Sequence, residues 1–402
     1  MYQLCLNMIV KDEAHIIHET LNSIYKYIDY WVISDTGSTD GTQDVIRKFF
    51  NEKNIPGELF QDEWKNFGHN RSLAMKHAYN KSKYLLVIDA DDLISGELVI
   101  PSSDADVFQM QLSDNVVYYR PQIFKNTLKW GYRGILHEFA YCINKKNAIA
   151  EKLTGCKMIS RRLGSRSRDS QKYQKDALLL VKAIEENTEP DLYNRYCFYA
   201  GQSFRDCNDH ANAIKYYQMR ADAGGWNEEV FYSYLMVGIQ MKKLNYPKAD
   251  IMRSFFNAYK ANPDRSESLF QIVLMNIADE DFEKAYNTMK MVLNIPYPAK
   301  QVLFIDKGIY EYGALFNMGI ICKNLNKHDE LLDIYHKLQK PSIPDDPKNK
   351  IKIILSEYIE KEKIQSSCNK IRYGVFTSSR IKFILCATPF WYLFLTYTSK
   401  KG

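Results

Sequence analysis

The sequence lacks the patterns that mark several large classes of protein. Its eight cysteines are scattered, with no CxxC pair and no spacing suited to zinc, which favours free thiols in a reducing compartment. The formal net charge is +6, yet no run of lysine and arginine resembles a nucleic-acid-binding tail. The first residues are strand-like and lack the pattern of a cleavable signal. We therefore expect a cytoplasmic protein that does not bind nucleic acid.

Two familiar nucleotide-binding patterns are also missing. The chain has neither a Walker loop nor a GxGxxG fingerprint. The segment VISDTGSTDGT, residues 32–42, instead places a strand before a glycine-rich turn with capping residues for the next helix. A well-capped turn explains Asp40 and Gly41. It does not explain Asp35, whose carboxylate at a strand end is placed to accept hydrogen bonds from a base edge or a ribose hydroxyl.

The first part of the chain has the rhythm of an α/β domain. With 402 residues, 46% apolar and 25% charged, the chain can form two or three globular domains. Over residues 1–168, short apolar runs such as QLCLNMIV and YLLVIDADD alternate with amphipathic helical stretches. This alternation predicts a mostly parallel, Rossmann-like sheet with ligands at the carboxyl ends of its strands.

The second part, residues 169–340, has the pattern of paired helices. Three segments each combine an aromatic and small-residue helix, a polar turn and a helix with an alanine near its start. Ala213, Ala249 and Ala285 are spaced 36 residues apart, close to the period of about 34 residues in tetratricopeptide hairpins. Such hairpins cannot bury an apolar face alone, so we expect them to stack into a superhelix.

The third part, residues 341–402, is predicted to be a helical tail with an apolar end. Phe383 to Tyr397 carry no charge and precede Lys400 and Lys401. As a helix this segment would span about 22 Å, short of a bilayer core of about 30 Å, and Pro389 interrupts it. One interpretation is membrane contact through the tail, and the other is a packed terminal helix or interaction tail.

The acids after YLLVI form a candidate cation site. Asp89 and Asp91 would point to the same side of an extended chain, and Asp92 would turn away or begin a loop. Their mutual repulsion is relieved if a divalent cation lies between them. Oxygen ligands favour Mg²⁺ or Mn²⁺, which complete their coordination with water and substrate phosphates.

Two further pairs of residues are candidates for chemistry. His137 and Glu138 are suited to supply a metal or phosphate ligand and a general base, although a lone His is usually structural and a lone Glu is usually solvated. Asn70 and Arg71 open a helix just before the acidic strand. Arg71 either pairs with an acid or holds a nucleotide.

Taken together and in order, these motifs resemble those of the family 2 glycosyltransferases with the GT-A fold. The motifs are MIVKDEAHIIHETLNSI, DTGSTDGT, NFGHNRSLA, IDADD and GILHE. The helical half is similar to the tetratricopeptide extension of the branch that contains peptide S-glycosyltransferases. The resemblance covers about residues 1 to 330, and the ordered set is more specific than any single motif.

The resemblance implies a role for each matching residue. Asp35 and the segment Lys11 to Glu13 would line the nucleotide pocket, with Asn70 and Arg71 on the helix beside it. Asp89 and Asp91 match the DxD motif, which would hold Mn²⁺ or Mg²⁺ on the donor diphosphate. His137 would be a further ligand, Glu138 the base that activates the acceptor, and Arg166 a contact to the diphosphate in a closing loop.

The resemblance therefore implies a metal-dependent, inverting glycosyltransferase. It would move a sugar from a nucleotide-diphosphate donor, a UDP-sugar by first expectation, to a protein, peptide or glycan acceptor. The alternative is a catalytically inactive scaffold that binds a nucleotide sugar and acts through its helical repeats. The sequence leaves the donor sugar, the acceptor and the oligomeric state open.

Overall fold

The computed structural model of the chain describes residues 2–161, 163–164 and 169–357. The strands are β1 (Tyr2–Val10), β2 (Tyr30–Asp35), β3 (Gly57–Gln61), β4 (Ser82–Val87), β5 (Asp92–Gly96), β6 (Val107–Leu112), β7 (Val116–Lys125), β8 (Trp130–Arg133), β9 (Phe139–Cys142), β10 (Ala150–Ser160) and β11 (Ile305–Asp306). The helices are α1 (Ile17–Ile24), α2 (Thr42–Lys53), α3 (Phe67–Ala78), α4 (Lys172–Glu185), α5 (Tyr193–Asp206), α6 (His210–Asp222), α7 (Asn227–Lys243), α8 (Lys248–Ala261), α9 (Glu267–Ala278), α10 (Phe282–Asn294), α11 (Ala314–Asn324) and α12 (His328–Leu338).

The first half of the chain forms one large mixed sheet. Its strand order is β3-β2-β1-β4-β7-β6-β10-β5, with β11 paired to β7. Strands β3, β2, β1 and β4 are parallel to one another, whereas β7 is antiparallel to both β4 and β6. Strands β8 and β9 form a separate antiparallel hairpin. The predicted class, a mostly parallel α/β domain followed by helical repeats, is confirmed.

The parallel strands bring distant residues to one edge of the sheet. Val10 lies opposite Asp35 in the register of β1 and β2, and Asn7 lies opposite Val87 in the register of β1 and β4. The sheet is buried on both faces, which explains the near-continuous apolar runs of β1 and β4. The acidic segment departs from the extended geometry expected for it: Asp89 to Asp91 form a turn after β4, and Asp92 begins β5.

Helices in the second half pack in sequence order, as stacked hairpins do. Each helix from α4 to α12 contacts the next along the chain. Ala213 and Ala285 are fully buried at these contacts, whereas Ala249 is exposed. The buried counterpart in the middle hairpin is Ile251, two positions later. The uniform 36-residue spacing is therefore wrong for this hairpin: the buried residue is the fourth of each helix, which in α8 is Ile251. The helix phase is otherwise the same, since Phe255 lies against Gly238 as Tyr217 lies against Gly201.

A short segment of the helical half joins the sheet. We call residues 302–306 the strap. Its Ile305 pairs with Val117 of β7, and the amide of Tyr119 donates to the carbonyl of Val302 at 2.9 Å. The strap thus adds strand β11 in a region where the sequence indicates helices alone. The sequence does not reveal this strand, because two residues are too few to show strand periodicity.

Two buried charged side chains hold the strap to the helices. Glu228 Oε2 accepts the amides of Val302 and Leu303, both at 2.8 Å. Arg265, which is fully buried, donates to the carbonyls of Leu303 and Phe304, both at 2.9 Å, and pairs with Glu267. The strap therefore links β7 rigidly to the helices α7 and α9.

The predicted boundaries at residues 168 and 340 stay predictions. The last strand before the helices, β10, ends at Ser160, α4 begins at Lys172, and residues 345–357 are also helical. Within the described ranges, no helix combines the length and the apolar character needed to cross a bilayer. The apolar segment Phe383 to Tyr397 lies outside the described residues.

Candidate active site

A cleft of about 1380 Å³ begins at the carboxyl ends of the parallel strands and continues between β7 and the helical half. Seven residues that the sequence predicts as functional line it together: Lys11, Glu13, Arg71, Asp89, Asp91, His137 and Glu138. Asp35 and Asn70 are buried and do not line it. Arg166 lies outside the described residues. A cleft of this size exceeds the usual range for one small ligand, about 300–1,000 Å³, and has room for two substrates.

Asp35 ends β2 with one oxygen bonded and one oxygen left over. Its Oδ1 accepts the amides of Gly37 at 2.9 Å and Ser38 at 2.8 Å. Its Oδ2 has no hydrogen-bond partner, and the residue is only 1% exposed, so water does not reach this oxygen. A buried carboxylate oxygen without a donor is costly, so a ligand donor at this point would be favoured. The neighbouring Thr36 lines the cleft. The role of Asp35 in nucleotide binding stays a prediction.

The side chain of Asn70 forms hydrogen bonds with the backbone in this structure. Its Oδ1 accepts the amide of Lys65 at 3.0 Å, and its Nδ2 donates to the carbonyl of Glu63 at 2.9 Å. Both bonds fix the loop before α3, which carries Trp64 into the cleft wall. Asn70 therefore supports the cleft from behind, and a direct contact with a nucleotide stays a prediction.

Arg71 joins two of the predicted functional carboxylates. Its Nη2 lies 2.5 Å from Asp89 Oδ1, and its Nε lies 2.6 Å from Glu138 Oε1. Burial by itself would raise the pKa of Asp89, but the charges of Arg71 and Arg120 outweigh it and hold that pKa at about 2. Asp89 is therefore an anion at all working pH values. Of the two roles the sequence leaves open for Arg71, the structure displays the pairing with acids.

Asp92 is the electrostatic opposite of Asp89. It is 1% exposed, and burial together with the charge of Asp89 raises its pKa to about 7. Arg120 Nη2 lies 3.4 Å from Asp92 Oδ2 and 3.5 Å from Asp89 Oδ2. The guanidinium of Arg120 thus lies between two carboxylates with different pKa values, the pKa being lowered for Asp89 and raised for Asp92.

The loop that carries His137 and Glu138 is fastened to helix α5. The amide of Ile135 donates to Tyr196 Oη at 3.2 Å, and Arg195 donates to the carbonyl of His137 at 2.7 and 3.0 Å. The ring of His137 stacks on Tyr199 with centroids 4.0 Å apart. His137 also has a φ of 51°, in the left-handed region that a residue other than glycine rarely adopts. The helical half therefore shapes the loop that presents Glu138.

Comparison with protein families identifies the first domain. The model of the family described as glycosyl transferase family 2 matches residues 5–163. Residues 5–163 are a family 2 glycosyltransferase domain. The match spans β1 to β10 and includes every predicted site residue except Arg166. The predicted family and the predicted class of enzyme, a glycosyltransferase, are confirmed.

Three solved structures share a low similarity with the chain. TarS from S. aureus is 13% identical, with 65% of this chain and 89% of that chain covered and a TM-score of 0.33. The mannosyltransferase PcManGT from Pyrobaculum calidifontis, in complex with GDP-Man and Mn²⁺, is 16% identical, with 64% and 84% covered and a TM-score of 0.35. A tetratricopeptide repeat protein from Parabacteroides merdae is 14% identical, with 49% and 74% covered and a TM-score of 0.35. The family assignment rests on the match of residues 5–163.

The glycosyltransferase domain offers carboxylates for a cation but no preassembled cage. Among the described residues, no three His, Cys, Asp or Glu side chains converge as a metal-binding group, so Asp89, Asp91 and His137 do not form one here. Asp91 Oδ2 accepts the amides of Leu163 at 2.8 Å and Gly164 at 2.9 Å. Asp91 and Glu13 both lie close to Gly164. This donor set fits Mg²⁺ or Mn²⁺ held by one or two carboxylates and completed by substrate phosphates.

Sequence reasoning missed three residues of the glycosyltransferase cleft. Arg120 lies on β7, and Arg195 and Tyr199 lie on α5. No motif surrounds any of them, because their roles come from contacts with residues far away in the chain. A guanidinium beside Asp89 and Asp92 is recognisable only once β7 is known to lie next to β4.

We predict that Arg195→Ala lowers the kcat of sugar transfer by about 10²-fold, because Glu138 loses the anchor of its loop and small misplacements cost rate. The KM for the donor should change less than kcat, and Arg195→Lys should recover part of the rate by donating to the same carbonyl. Steady-state kinetics of the wild-type protein, Arg195→Ala and Arg195→Lys give the kcat and KM values. Arg253, which is exposed and pairs with Asp250, provides the matched control Arg253→Ala. A fall in kcat no larger than that of the control would contradict the anchoring role.

Proposed function

We propose that the chain is a metal-dependent, inverting glycosyltransferase that moves a sugar from a nucleoside-diphosphate donor, in the first instance a UDP-sugar, to a protein, peptide or glycan acceptor. The observation that carries the proposal is the bridge made by Arg71 between Asp89 of the DxD turn and Glu138. The bridge places Glu138, the candidate base, one arginine side chain away from Asp89, which would face the donor diphosphate. An inverting transfer needs these two groups at one site.

Each group has a defined task in a single displacement. The acceptor atom attacks the anomeric carbon from one face while the bond to the diphosphate oxygen breaks on the other face. Glu138 Oε1 is occupied by Arg71, which leaves Oε2 to take the proton of the acceptor. Lys11, which lines the cleft, would bind the nucleotide end of the donor, and Asp35, buried next to the cleft-lining Thr36 in the chain, would offer its unpaired Oδ2 to a donor group that enters there. The nucleoside diphosphate leaves with both electrons of the broken bond.

A divalent cation completes the charge balance of this site. Asp91 and Asp89 would hold it, with His137, which lines the same cleft, as a further candidate. When bound, Mn²⁺ or Mg²⁺ supplies positive charge to the leaving diphosphate. The role of Arg71 and Arg120 is then to keep Asp89 ionised and oriented before the donor arrives.

A screen of nucleotide sugars tests the proposal. Purified full-length protein is incubated singly with UDP-linked and GDP-linked sugars and Mn²⁺, and the released UDP or GDP is measured against a parallel reaction with EDTA. We expect release from at least one donor that EDTA abolishes. Release from none of the donors, together with calorimetric binding of a donor, would instead support the inactive scaffold.

A further inference from the structure

The end of the cleft between β7 and the helical half is lined by aromatic rings from both halves of the chain. Phe304 of the strap lies with its ring centroid 4.8 Å from that of Tyr232 on α7 and 5.2 Å from that of Tyr118 on β7. Trp226, directly before α7, also lines the cleft and is 44% exposed. Tyr199, which stacks on His137, lines the same cleft.

Phe304 is held in its place at a cost in backbone energy. Its φ of 47° lies in the left-handed region, which is unfavourable for a residue other than glycine. The buried Arg265 offsets this by binding the carbonyls of Phe304 and Leu303. A strained aromatic residue that is fixed in this way and faces a cleft is a feature of ligand sites rather than of ordinary connecting segments.

The polar groups at this end of the cleft are suited to bind a ligand hydroxyl. Arg205 Nη1 donates to Tyr232 Oη at 3.1 Å, which leaves the hydroxyl hydrogen of Tyr232 available to donate. Gln202 Oε1 is buried without a hydrogen-bond partner and needs a donor. A ligand hydroxyl both donates and accepts, so it can serve the two groups. Gln202 lines the cleft on α5, one turn beyond Tyr199.

Two of the cations that line the cleft are already balanced by carboxylates. Arg205 pairs with Asp206 at 2.7 Å, and Lys157 lies 2.5 Å from Asp114, whereas Arg195 donates to the carbonyl of His137 and lies over the rings of Phe139 and Tyr199. A site for an acidic ligand would instead offer cations that lack such partners. The ligand expected here is therefore neutral.

The backbone at this end has little to offer an extended peptide. The amides of Val302 and Leu303 are bonded to Glu228, and the carbonyls of residues 302–304 are bonded to Tyr119 and Arg265. A peptide binds best where main-chain groups are open for strand addition. Sugar rings need no such edge, because their C–H bonds pack on the electron-rich faces of aromatic rings.

We propose that this end of the cleft is the acceptor subsite and that it takes a neutral carbohydrate, whose ring packs on Trp226, Tyr232 and Phe304 and whose hydroxyl groups bond to Tyr232 and Gln202. The proposal rests on the proposed function and narrows its acceptor to a glycan. The two halves of the chain then divide the substrates: the sheet edge holds the donor, and the helices and the strap hold the acceptor.

Binding without a donor tests the subsite separately from catalysis. Each of a set of neutral trisaccharides built from glucose, galactose, mannose or N-acetylglucosamine is added to the full-length protein, and saturation-transfer difference NMR detects contact. We expect at least one trisaccharide to bind, and Trp226→Ala to raise its dissociation constant at least tenfold. Trp226→Phe should retain most of the affinity. Tyr246→Ala, an exposed aromatic residue of the helical half away from the cleft, is the matched control and should change nothing.

Two results would overturn the carbohydrate subsite. One is the absence of binding by every trisaccharide in the set. The other is a trisaccharide affinity that Trp226→Ala and Tyr246→Ala change equally. Unstructured peptides containing Ser, Thr and Cys form the competing arm, and binding of these peptides that depends on Trp226 would assign the site to a peptide instead. Failure of the donor screen with successful trisaccharide binding would contradict the enzymatic proposal and leave the subsite standing.

Discussion

Asp91→Asn is expected to lower the Mn²⁺-dependent release of nucleotide from the donor by about 10³-fold. The substitution keeps the shape of the side chain and an oxygen for the amides of Leu163 and Gly164, but removes the negative charge that a cation needs. Loss of one group that stabilises charge in a transition state costs about 10²–10³ in rate, and loss of the metal adds to it. Initial rates over a range of Mn²⁺ concentrations measure the effect and show whether more metal restores activity.

The matched control for this experiment is Asp279→Asn. Asp279 is an exposed carboxylate of the helical half that pairs with Lys248, far from the cleft lining. Exposed pairs contribute at most about 1 kcal/mol, so the control should keep nearly full activity. If Asp91→Asn retained more than a tenth of the rate at low Mn²⁺, Asp91 would not be a metal ligand.

Arg71→Met is expected both to abolish transfer and to lower the free energy of unfolding by about 3 kcal/mol. The guanidinium is mostly buried between Asp89 and Glu138, and removal of one partner of a buried pair leaves unpaired charge behind. The charge of Arg71 also helps to keep the pKa of Asp89 at about 2, so that pKa should rise in the variant. Urea unfolding followed by circular dichroism gives the stability, and initial rates give the activity.

A double variant separates the bridge from simple packing. In Arg71→Met with Glu138→Gln, the unpaired charge of Glu138 is gone, so part of the lost stability should return while activity stays absent. Arg253→Met removes an exposed arginine that pairs with Asp250 and should change stability by no more than about 0.5 kcal/mol. Strictly additive losses in the double variant would contradict an interaction between Arg71 and Glu138.

Local patterns predicted the class of fold because the periodicity of strands and the periodicity of helices can each be recognised within a few residues. Apolar runs such as YLLVI and the turn DTGSTDG mark strand ends within a few residues, and the order of these motifs was enough to predict the family. The same reasoning failed at Ala249, since the phase of a helix depends on which side chain packs against the preceding helix. It also missed β11, which has two residues and owes its strand pairing to β7.

The sequence by itself predicted that acids, a His-Glu pair and an arginine belong to one site, because their motifs in this order resemble those of the family 2 glycosyltransferases. It also determined that the site precedes a stack of helices. Only the tertiary structure decided that Arg71 bridges Asp89 and Glu138, that Arg195 of α5 anchors the loop of His137 and Glu138, and that the strap places Phe304 in the cleft. These contacts join residues far apart in the chain, and their energies depend on burial, which no local pattern records.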